Sequence, residues 1–363
     1  MNILIYNWRD IKNPNGGGAE IFTHENAKRW VKMGHKVTLF TTYFKNCKNK
    51  EFIDNVRIIR CGGKLSVYKN ARRYYNNYFS KEKFDIVIDE INTRPFFTKK
   101  FVNNGEKIVV LIHQLAKEFW YYETPFPINY IGDHFIEKHW LKSYVDIPTV
   151  TVSNSTKKDL VDLGFKNVSI VSEGINFTAL YNVKEKEKEP TLIFIGRLKK
   201  AKRPQVLIEA FTQVKKQIPE AKLWIAGDGY MRSKLEKIAT EGVEFLGRIS
   251  EKEKIDFISR AWVLVNPSIR EGWGINIIEA NACGTPCIAF DVHGLRDSIV
   301  DGKTGILVKD KSNVETLAKT IIDFIKNSKR REEFSRNALD WSKKFTWDKS
   351  AEEFLDILQT ILR

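Results

Sequence analysis

The densest group of chemically capable residues runs from 266 to 280: Asn-Pro-Ser-Ile-Arg-Glu-Gly-Trp-Gly-Ile-Asn-Ile-Ile-Glu-Ala. It holds two carboxylates, Glu271 and Glu279, with a glycine pair, Gly272 and Gly274, between them. Glycines at such points permit tight turns and a close approach of backbone to a ligand. A helix is predicted to begin near Ile275. The free N–H groups at its start, those of Ile275 and Asn276 included, and its dipole suit a diphosphate. Glu279, in the early turns, can accept from a ribose hydroxyl, and Glu271, in the loop, from sugar hydroxyls. The same residues would also build an ordinary helix entry with solvated acids.

A second group, Ile195-Gly-Arg-Leu-Lys-Lys-Ala-Lys-Arg-Pro204, directly follows an apolar run. Arg197 and Lys202, with Gly196 at the turn, put two cations where the two phosphates of a leaving diphosphate need them. A solvated basic loop would read the same way. Ile225-Ala-Gly-Asp-Gly229 and Phe245-Leu-Gly-Arg-Ile249 end further apolar runs in glycine turns, so Gly227, Arg248 and Ile249 can line a nucleotide. Nearer the N-terminus, Gly16-Gly17-Gly18 precedes a helix and forms a candidate anion nest or a flexible loop. His113 ends the run Lys107–Ile112. It is either a histidine of the site or a structural one with its hydrogen bonds satisfied.

These residues must be positioned by elements of alternating type. Asn2–Tyr6, Lys36–Thr42, Phe84–Asp89, Lys107–Ile112 and Thr149–Ser153 are short apolar runs, several without polar alternation, as in parallel strands covered on both faces. Ala19–Met33 reads as a helix stopped by Gly34. The pattern restarts at Thr191–Ile195, Lys222–Ala226, Val243–Leu246, Trp262–Val265 and Pro286–Phe290. Strands alternating with helices predict doubly wound α/β sheets. The charged stretch Tyr181–Pro190, poor in apolar residues, reads as part of a linker. The organisation expected is a first Rossmann-like domain over 1–176, a linker at 177–190, and a second Rossmann-like domain over 191–346. A last helix over 347–363 carries an apolar stripe of Ala351, Phe354, Leu355, Leu358 and Ile361. In open α/β sheets ligands sit at the carboxyl ends of the strands, so the cleft between two facing domains is the expected site.

The 363 residues are 42% hydrophobic and 29% charged, ordinary for a globular protein of two domains. Four cysteines, Cys47, Cys61, Cys283 and Cys287, make neither a disulfide framework nor a zinc pattern. The start of the chain runs straight into a strand and lacks the regions of a signal peptide. The longest apolar run, Ile108–Ile112, is far too short to span a bilayer. A cytoplasmic protein is expected. The net charge of +15, spread over both halves, favours anionic partners such as nucleotides, acidic glycans or lipid surfaces. Between Val56 and Ser80 there are six basic residues and no acidic one. A helix over Leu65–Phe79 would gather Tyr68, Ala71, Tyr75 and Tyr78 on one face, with Lys69, Arg72 and Arg73 on the others. That helix is the candidate for peripheral association with an anionic membrane; the alternative is that the tyrosines are core.

The order and spacing of Gly16-Gly17, Gly-Arg-Leu…Lys-Arg-Pro, Ala-Gly-Asp-Gly and Glu-Gly-Trp-Gly-Ile…Glu-Ala resemble the retaining glycosyltransferases of family 4, which have the GT-B architecture. The likeness covers nearly the whole chain and is most specific in the second half. It implies that Glu271 contacts the donor sugar and Glu279 the ribose. It implies Arg197 and Lys202 on the diphosphate, Gly16 and Gly17 on donor phosphate or sugar, and His113 on the donor sugar. It also implies that the first domain binds the acceptor and the second the nucleotide-sugar, and that a C-terminal helix crosses back to the first domain. Gln114–Asp146, dense in aromatics, departs from the pattern and has no role assigned by it.

The reaction implied is transfer from a UDP- or GDP-sugar to a glycan or lipid-linked acceptor with retention, in cell-surface polysaccharide or glycoconjugate synthesis. With no Asp-x-Asp motif to hold a divalent metal, Arg197, Lys202 and the helix terminus would neutralise the leaving group, so no metal or other cofactor is expected. The Glu pair has a donor-binding task, unlike the paired carboxylates of a glycosidase. A sugar phosphorylase or nucleotide-sugar epimerase of the same fold is the alternative, and a silent partner subunit a further one. An NAD-dependent oxidoreductase would need its glycine motif directly after the first strand, about ten residues earlier than Gly16–Gly18.

Overall fold

In a computed structural model the described residues are 1–176, 185–311 and 313–363. Residues 177–184, most of the expected linker, therefore lie outside them. The chain divides into two compact units. One comprises Met1–Lys117, Tyr130–Gly174 and Thr346–Arg363; the other comprises Glu118–Asn129 and Ile175–Phe345.

The first unit holds an eight-stranded sheet. Its strands are β1 (Asn2–Tyr6), β2 (Lys36–Thr41), β3 (Lys50–Ile53), β4 (Val56–Arg60), β5 (Ile86–Glu90), β6 (Lys107–Ile112), β7 (Thr149–Thr151) and β8 (Val168–Ile170). They lie in the order β3-β4-β2-β1-β5-β6-β7-β8. Each adjacent pair is parallel except β3 with β4. Ile3, Leu4 and Ile5 of β1 are buried on both faces, which is why the strand lacks alternation. The β3–β4 hairpin was not legible as apolar runs. Its signal is the pair Asp54-Asn55, both at positive φ, the two-residue turn whose twist matches an antiparallel pair. The helix Gly18–Lys32 ends just before Gly34, whose φ of +90° is one that L side chains rarely adopt.

The second unit holds β9 (Thr191–Ile195), β10 (Lys222–Ala226), β11 (Val243–Gly247), β12 (Val263–Asn266), β13 (Cys287–Phe290) and β14 (Gly305–Val308). Their order is β11-β10-β9-β12-β13-β14, parallel throughout. Each unit has its own apolar core. Both sheets are the doubly wound α/β type that the alternation predicts. The four cysteines are free thiols; Cys283 and Cys287 are buried in the second core.

The C-terminal helix Trp347–Leu362 packs in the first unit, against Gly18–Lys32. Phe354 stands edge-on to Trp30 at 5.1 Å, and the Trp30 indole N–H donates to the Ala351 carbonyl at 3.0 Å. Gly174 seats the start of this helix, since an added Cβ would come within 2.4 Å of the Trp347 nitrogen.

Two expectations need correction. The helix near 65–79 spans Val67–Asn77, and its aromatic face is turned inward. Ala71 and Tyr75 are buried in the core, Tyr68 lies half-buried 4.9 Å from the Phe96 ring, and the Tyr75 hydroxyl donates to Glu106. Only Tyr78 of that set is exposed, so the tyrosines are core residues rather than a bilayer face. The second correction concerns Glu118–Asn129. The alternation predicts that all of 1–176 belongs to the first domain, yet this segment packs in the second unit, where it makes polar contacts with residues 78 and 152 positions away.

Phe354→Ala should cost about 3–5 kcal/mol of first-unit stability, because a fully buried ring leaves a cavity that the Trp30 and Phe22 rings cannot collapse into. Denaturant unfolding followed by tryptophan fluorescence measures it; a loss below about 1 kcal/mol would mean that the helix is not anchored there.

Candidate active site

In the second unit the strand ends are brought together by glycine. An added Cβ on Gly227, at φ +132°, would lie 2.0 Å from the Gly196 carbonyl oxygen, so the turns after β9 and β10 touch backbone to backbone. The Gly227 N–H donates to the Gly247 carbonyl at 2.7 Å, which adds the end of β11. Asn276 donates from Nδ2 to the Ile195 carbonyl at 2.9 Å, tying the first turn of helix Ile275–Ala282 to the end of β9. Gly274 caps that helix at φ +95°, a conformation open to glycine at little cost. The helix N-terminus is thus fixed beside the carboxyl ends of β9 and β12.

Glu271 and Lys202 form an ion pair at this place, and the Ser268 hydroxyl donates to the same carboxylate oxygen at 2.7 Å. Their side chains keep 13% and 17% exposure, little water to screen the charges. Burial works to raise the Glu271 carboxyl, but Lys202, Ser268 and Lys199 outweigh it and hold it below the ordinary value. Lys199 is pushed down to about 8, chiefly by burial and then by the nearby charges of Lys202 and Arg197. Arg197 itself is exposed. Glu279 is buried and pairs with Lys254 of helix Glu251–Arg260 at 2.7 Å. Burial opposes the Lys254 charge, but Glu279 and Glu251 outweigh it and hold the ammonium above its ordinary value. Arg248 is exposed and stands 3.8 Å from Asp228; Ile249, Gly272 and Ile275 are partly exposed.

The structure therefore gathers Gly196, Gly227, Asn276, Lys202 and Glu271, and adds Ser268, Lys199 and Lys254, which the sequence reading did not nominate. Ser268 could have been found from its place three residues before Glu271. Nothing local marks Lys254 as the partner of Glu279, because their contact depends on helix packing.

In the first unit His113 is buried at the end of β6. Its Nε2 lies 3.3 Å from Glu90 Oε1 and its Nδ1 3.8 Å from Glu173 Oε1. Burial opposes the imidazolium, but the two carboxylates outweigh it and push the value up to about 9. Glu90 also accepts from the Thr23 hydroxyl at 2.6 Å. Neither ring nitrogen of His113 nor Glu90 Oε1 has a hydrogen-bond partner among the described residues, so the imidazole meets the two carboxylates as charges and not through completed hydrogen bonds. The glycine loop likewise already meets a carboxylate: the Gly17 N–H donates to Glu20 Oε2 at 2.6 Å, and Arg9 donates to Glu20 Oε1 at 2.9 Å. Gly16 packs with its Cα near the Asn13 carbonyl, where a Cβ would come to 3.1 Å.

Two family models cover most of the chain. Glycosyltransferase Family 4 matches residues 16–178, and Glycosyl transferases group 1 matches residues 179–341. An uncharacterized glycosyltransferase of Methanocaldococcus jannaschii is 32% identical over 353 residues, 93% of each chain. The chain belongs to the group 1, or family 4, glycosyltransferases. Among solved structures, sucrose-phosphate synthase of Thermosynechococcus elongatus superposes with a TM-score of 0.83 at 18% identity, covering 99% of this chain and 98% of that one. HepE of Anabaena, solved with UDP-glucose, gives 0.74 at 15% identity over 99% and 100%. These likenesses establish the GT-B fold of this glycosyltransferase, with two Rossmann-like α/β domains.

The raised His113 value sets a pH dependence. The charged form stabilises the folded glycosyltransferase, a contribution complete below the ordinary value of 6.5 and lost as pH rises through about 9. Wild type should lose denaturant stability relative to His113→Gln across that window. Parallel pH profiles for the two proteins would show that the imidazole is neutral in the fold.

Proposed function

We propose that this glycosyltransferase moves a hexosyl group, with retention and without a metal ion, from a UDP- or GDP-sugar to a glycan or lipid-linked acceptor in cell-surface polysaccharide or glycoconjugate synthesis. The observation that carries the reading is the Lys202–Glu271 pair, with Ser268, beside the N-terminus of helix Ile275–Ala282. Phosphate oxygens entering here would take over Lys202 and meet the free N–H groups of the helix. Glu271, released from the ammonium but still accepting from Ser268, would then accept from hydroxyls of the donor sugar. Charge developing on the leaving diphosphate is met by Lys202, Arg197 and the helix terminus, groups already in place before the reaction. This supports catalysis without a divalent ion. Glu279, held by Lys254, is offered to the ribose, and the turns at Gly227 and Arg248–Ile249 to the nucleoside. Gly16, Gly17 and His113 belong to the donor-sugar side of the reading by family likeness. The leaving phosphate itself takes the acceptor proton, so no side chain serves as nucleophile. The UDP-glucose in the HepE crystal favours a uridine donor.

Association with an anionic membrane, at the inner face for a cytoplasmic enzyme, rests on Lys69, Arg72 and Arg73 alone, which remain exposed on helix Val67–Asn77. Each cation near such a surface contributes about 1 kcal/mol, so the attraction would be weak and salt-sensitive. Among the described residues no helix is long and apolar enough to cross a membrane.

Glu271→Ala and Lys202→Ala should each lower transfer at saturating donor by about 10²-fold or more while the fold is kept, since each removes charge that the transition state uses. Near-wild-type transfer by either variant would remove that residue from the site. Activity should persist in EDTA, and NMR of the first product formed should show the anomeric configuration of the donor. Loss on chelation with recovery on adding magnesium or manganese would overturn metal independence, and an inverted product would overturn retention.

A further inference from the structure

The helix Glu118–Glu123 comes from the half of the sequence that builds the first sheet, and lies in the aromatic stretch that the family pattern leaves without a role. In the structure it belongs to the second unit and touches both loops that carry the Lys202–Glu271 pair. On one side, Arg270, next to Glu271 in the chain and with 1% of its side chain exposed, donates from Nε to Glu118 Oε2 at 2.6 Å. On the other, Glu123 organises the 3-10 turn Lys200–Lys202. Its Oε1 accepts from the Ala201 N–H at 3.0 Å, and its Oε2 accepts from the Tyr230 hydroxyl at 2.9 Å. That hydroxyl in turn accepts from the Lys200 N–H at 2.8 Å. Between the two acids, the Phe119 ring lies 4.6 Å from the Lys199 ammonium. The two loops are also joined directly, Ile269 N–H to the Ala201 carbonyl at 3.1 Å.

We propose that Glu118 and Glu123 are positioning residues for the donor: one six-residue helix fixes the backbone on the Glu271 side through Arg270 and on the Lys202 side through the 200–202 turn. Each acid acts through the backbone that carries a residue assigned to the donor, Glu118 through Arg270 beside Glu271 and Glu123 through the turn that bears Lys202. A carboxylate on buried Arg270 and one on a tight turn are charge-assisted contacts, stronger and more directional than neutral ones. In metal sites, removing a group that orients a ligating residue typically costs about 10- to 100-fold in affinity or activity, and the lower end of that range is the effect expected here. The proposal rests on the donor site assigned above, and it separates the two acids by effect. The turn bearing Lys202 serves the diphosphate, so Glu123 governs nucleotide binding. The loop bearing Glu271 serves the sugar, so Glu118 governs turnover.

The test uses the full chain and the variants Glu118→Gln, Glu123→Gln, Glu118→Asp, Glu123→Asp and Lys202→Ala. UDP and GDP binding is measured by calorimetry, release of nucleoside diphosphate from UDP-glucose and GDP-mannose gives kcat and KM, and Tm is recorded for each protein. Glu123→Gln is expected to weaken nucleotide binding about tenfold, and Glu118→Gln to lower kcat about tenfold with nucleotide binding unchanged. The Asp variants, which keep the charge, should recover part of each loss. If a Gln variant does not fold, its Asp variant carries the test, because the shorter side chain weakens the same contact through reach alone. Unchanged kcat and nucleotide affinity in both Gln variants, with Lys202→Ala impaired, would overturn this inference and leave the donor site standing. Losses that only track a lowered Tm would overturn it as well. Tighter nucleotide binding by Glu123→Gln would show that its carboxylate blocks the turn instead of ordering it. Full binding and turnover in Lys202→Ala would overturn the donor assignment and this inference with it.

Discussion

The site depends on keeping an ammonium and a carboxylate together where water is scarce. Lys202 and Glu271 lie 69 residues apart and are each held by a different strand end, so their meeting costs backbone order before it yields any attraction. Partly buried charges stabilise a fold only when geometry and extra hydrogen bonds offset the lost hydration. Here Ser268 supplies one such bond, and the direct link from Ile269 to Ala201 holds the two loops in register. The parallel sheet provides the rest. With β9 at its centre and β12 beside it, the loops after both strands emerge at the same edge.

The parts of this arrangement that were legible in the sequence are those with local causes. Continuous apolar runs such as Leu192-Ile-Phe194 predict covered parallel strands, and glycines after them predict turns. Both forecasts hold at β9 and β10, and the first at β12, because strand burial and turn sterics are decided within a few residues. The pairing of Glu271 with Lys202 followed only in outline: both were placed at strand ends, but the direct contact between them was not foreseen. Glu118 with Arg270, and Glu279 with Lys254, had no local signal, since either acid could have met any cation the fold brought near. Helix Val67–Asn77 shows the converse failure. Its tyrosine stripe was correctly placed on one face, but periodicity does not say whether a face looks to core or to solvent. Phe79, Phe84, Phe96 and Phe101 decide it, by offering a ring cluster that Tyr75 and Tyr68 complete.

The first unit follows another electrostatic pattern. Arg60 is fully buried and is met by both oxygens of Asp10, at 2.7 and 2.9 Å, and by Glu51 at 2.5 Å. His113 stands between Glu90 and Glu173, and Asp89 accepts from Tyr144, Thr98 and Phe96. Each of these buried groups meets several partners, most of them in the loops and turns around the strand ends, and such sets lose far more when one partner is removed than the pair gains over apolar packing. They account for the charged residues buried at and near the strand ends of this sheet.

Glycine makes the difference between the two kinds of strand end. At β9 and β10, Gly196 and Gly227 approach so closely that no side chain fits between them, and the turn bearing Arg197 to Lys202 is drawn down onto the sheet. A Cβ on Gly229 would likewise strike the Leu198 carbonyl at 2.3 Å, and one on Gly294 the Glu271 carbonyl at 2.3 Å. Four glycines thus bring the two charged loops close to neighbouring backbone without occupying space that a ligand could use. In the first unit the corresponding strand ends carry Glu90 and His113, whose side chains fill the space themselves. The same parallel architecture therefore brings backbone to backbone at the ends of β9 and β10 and side chain to side chain at the ends of β5 and β6, and the residue type at each turn is what decides which.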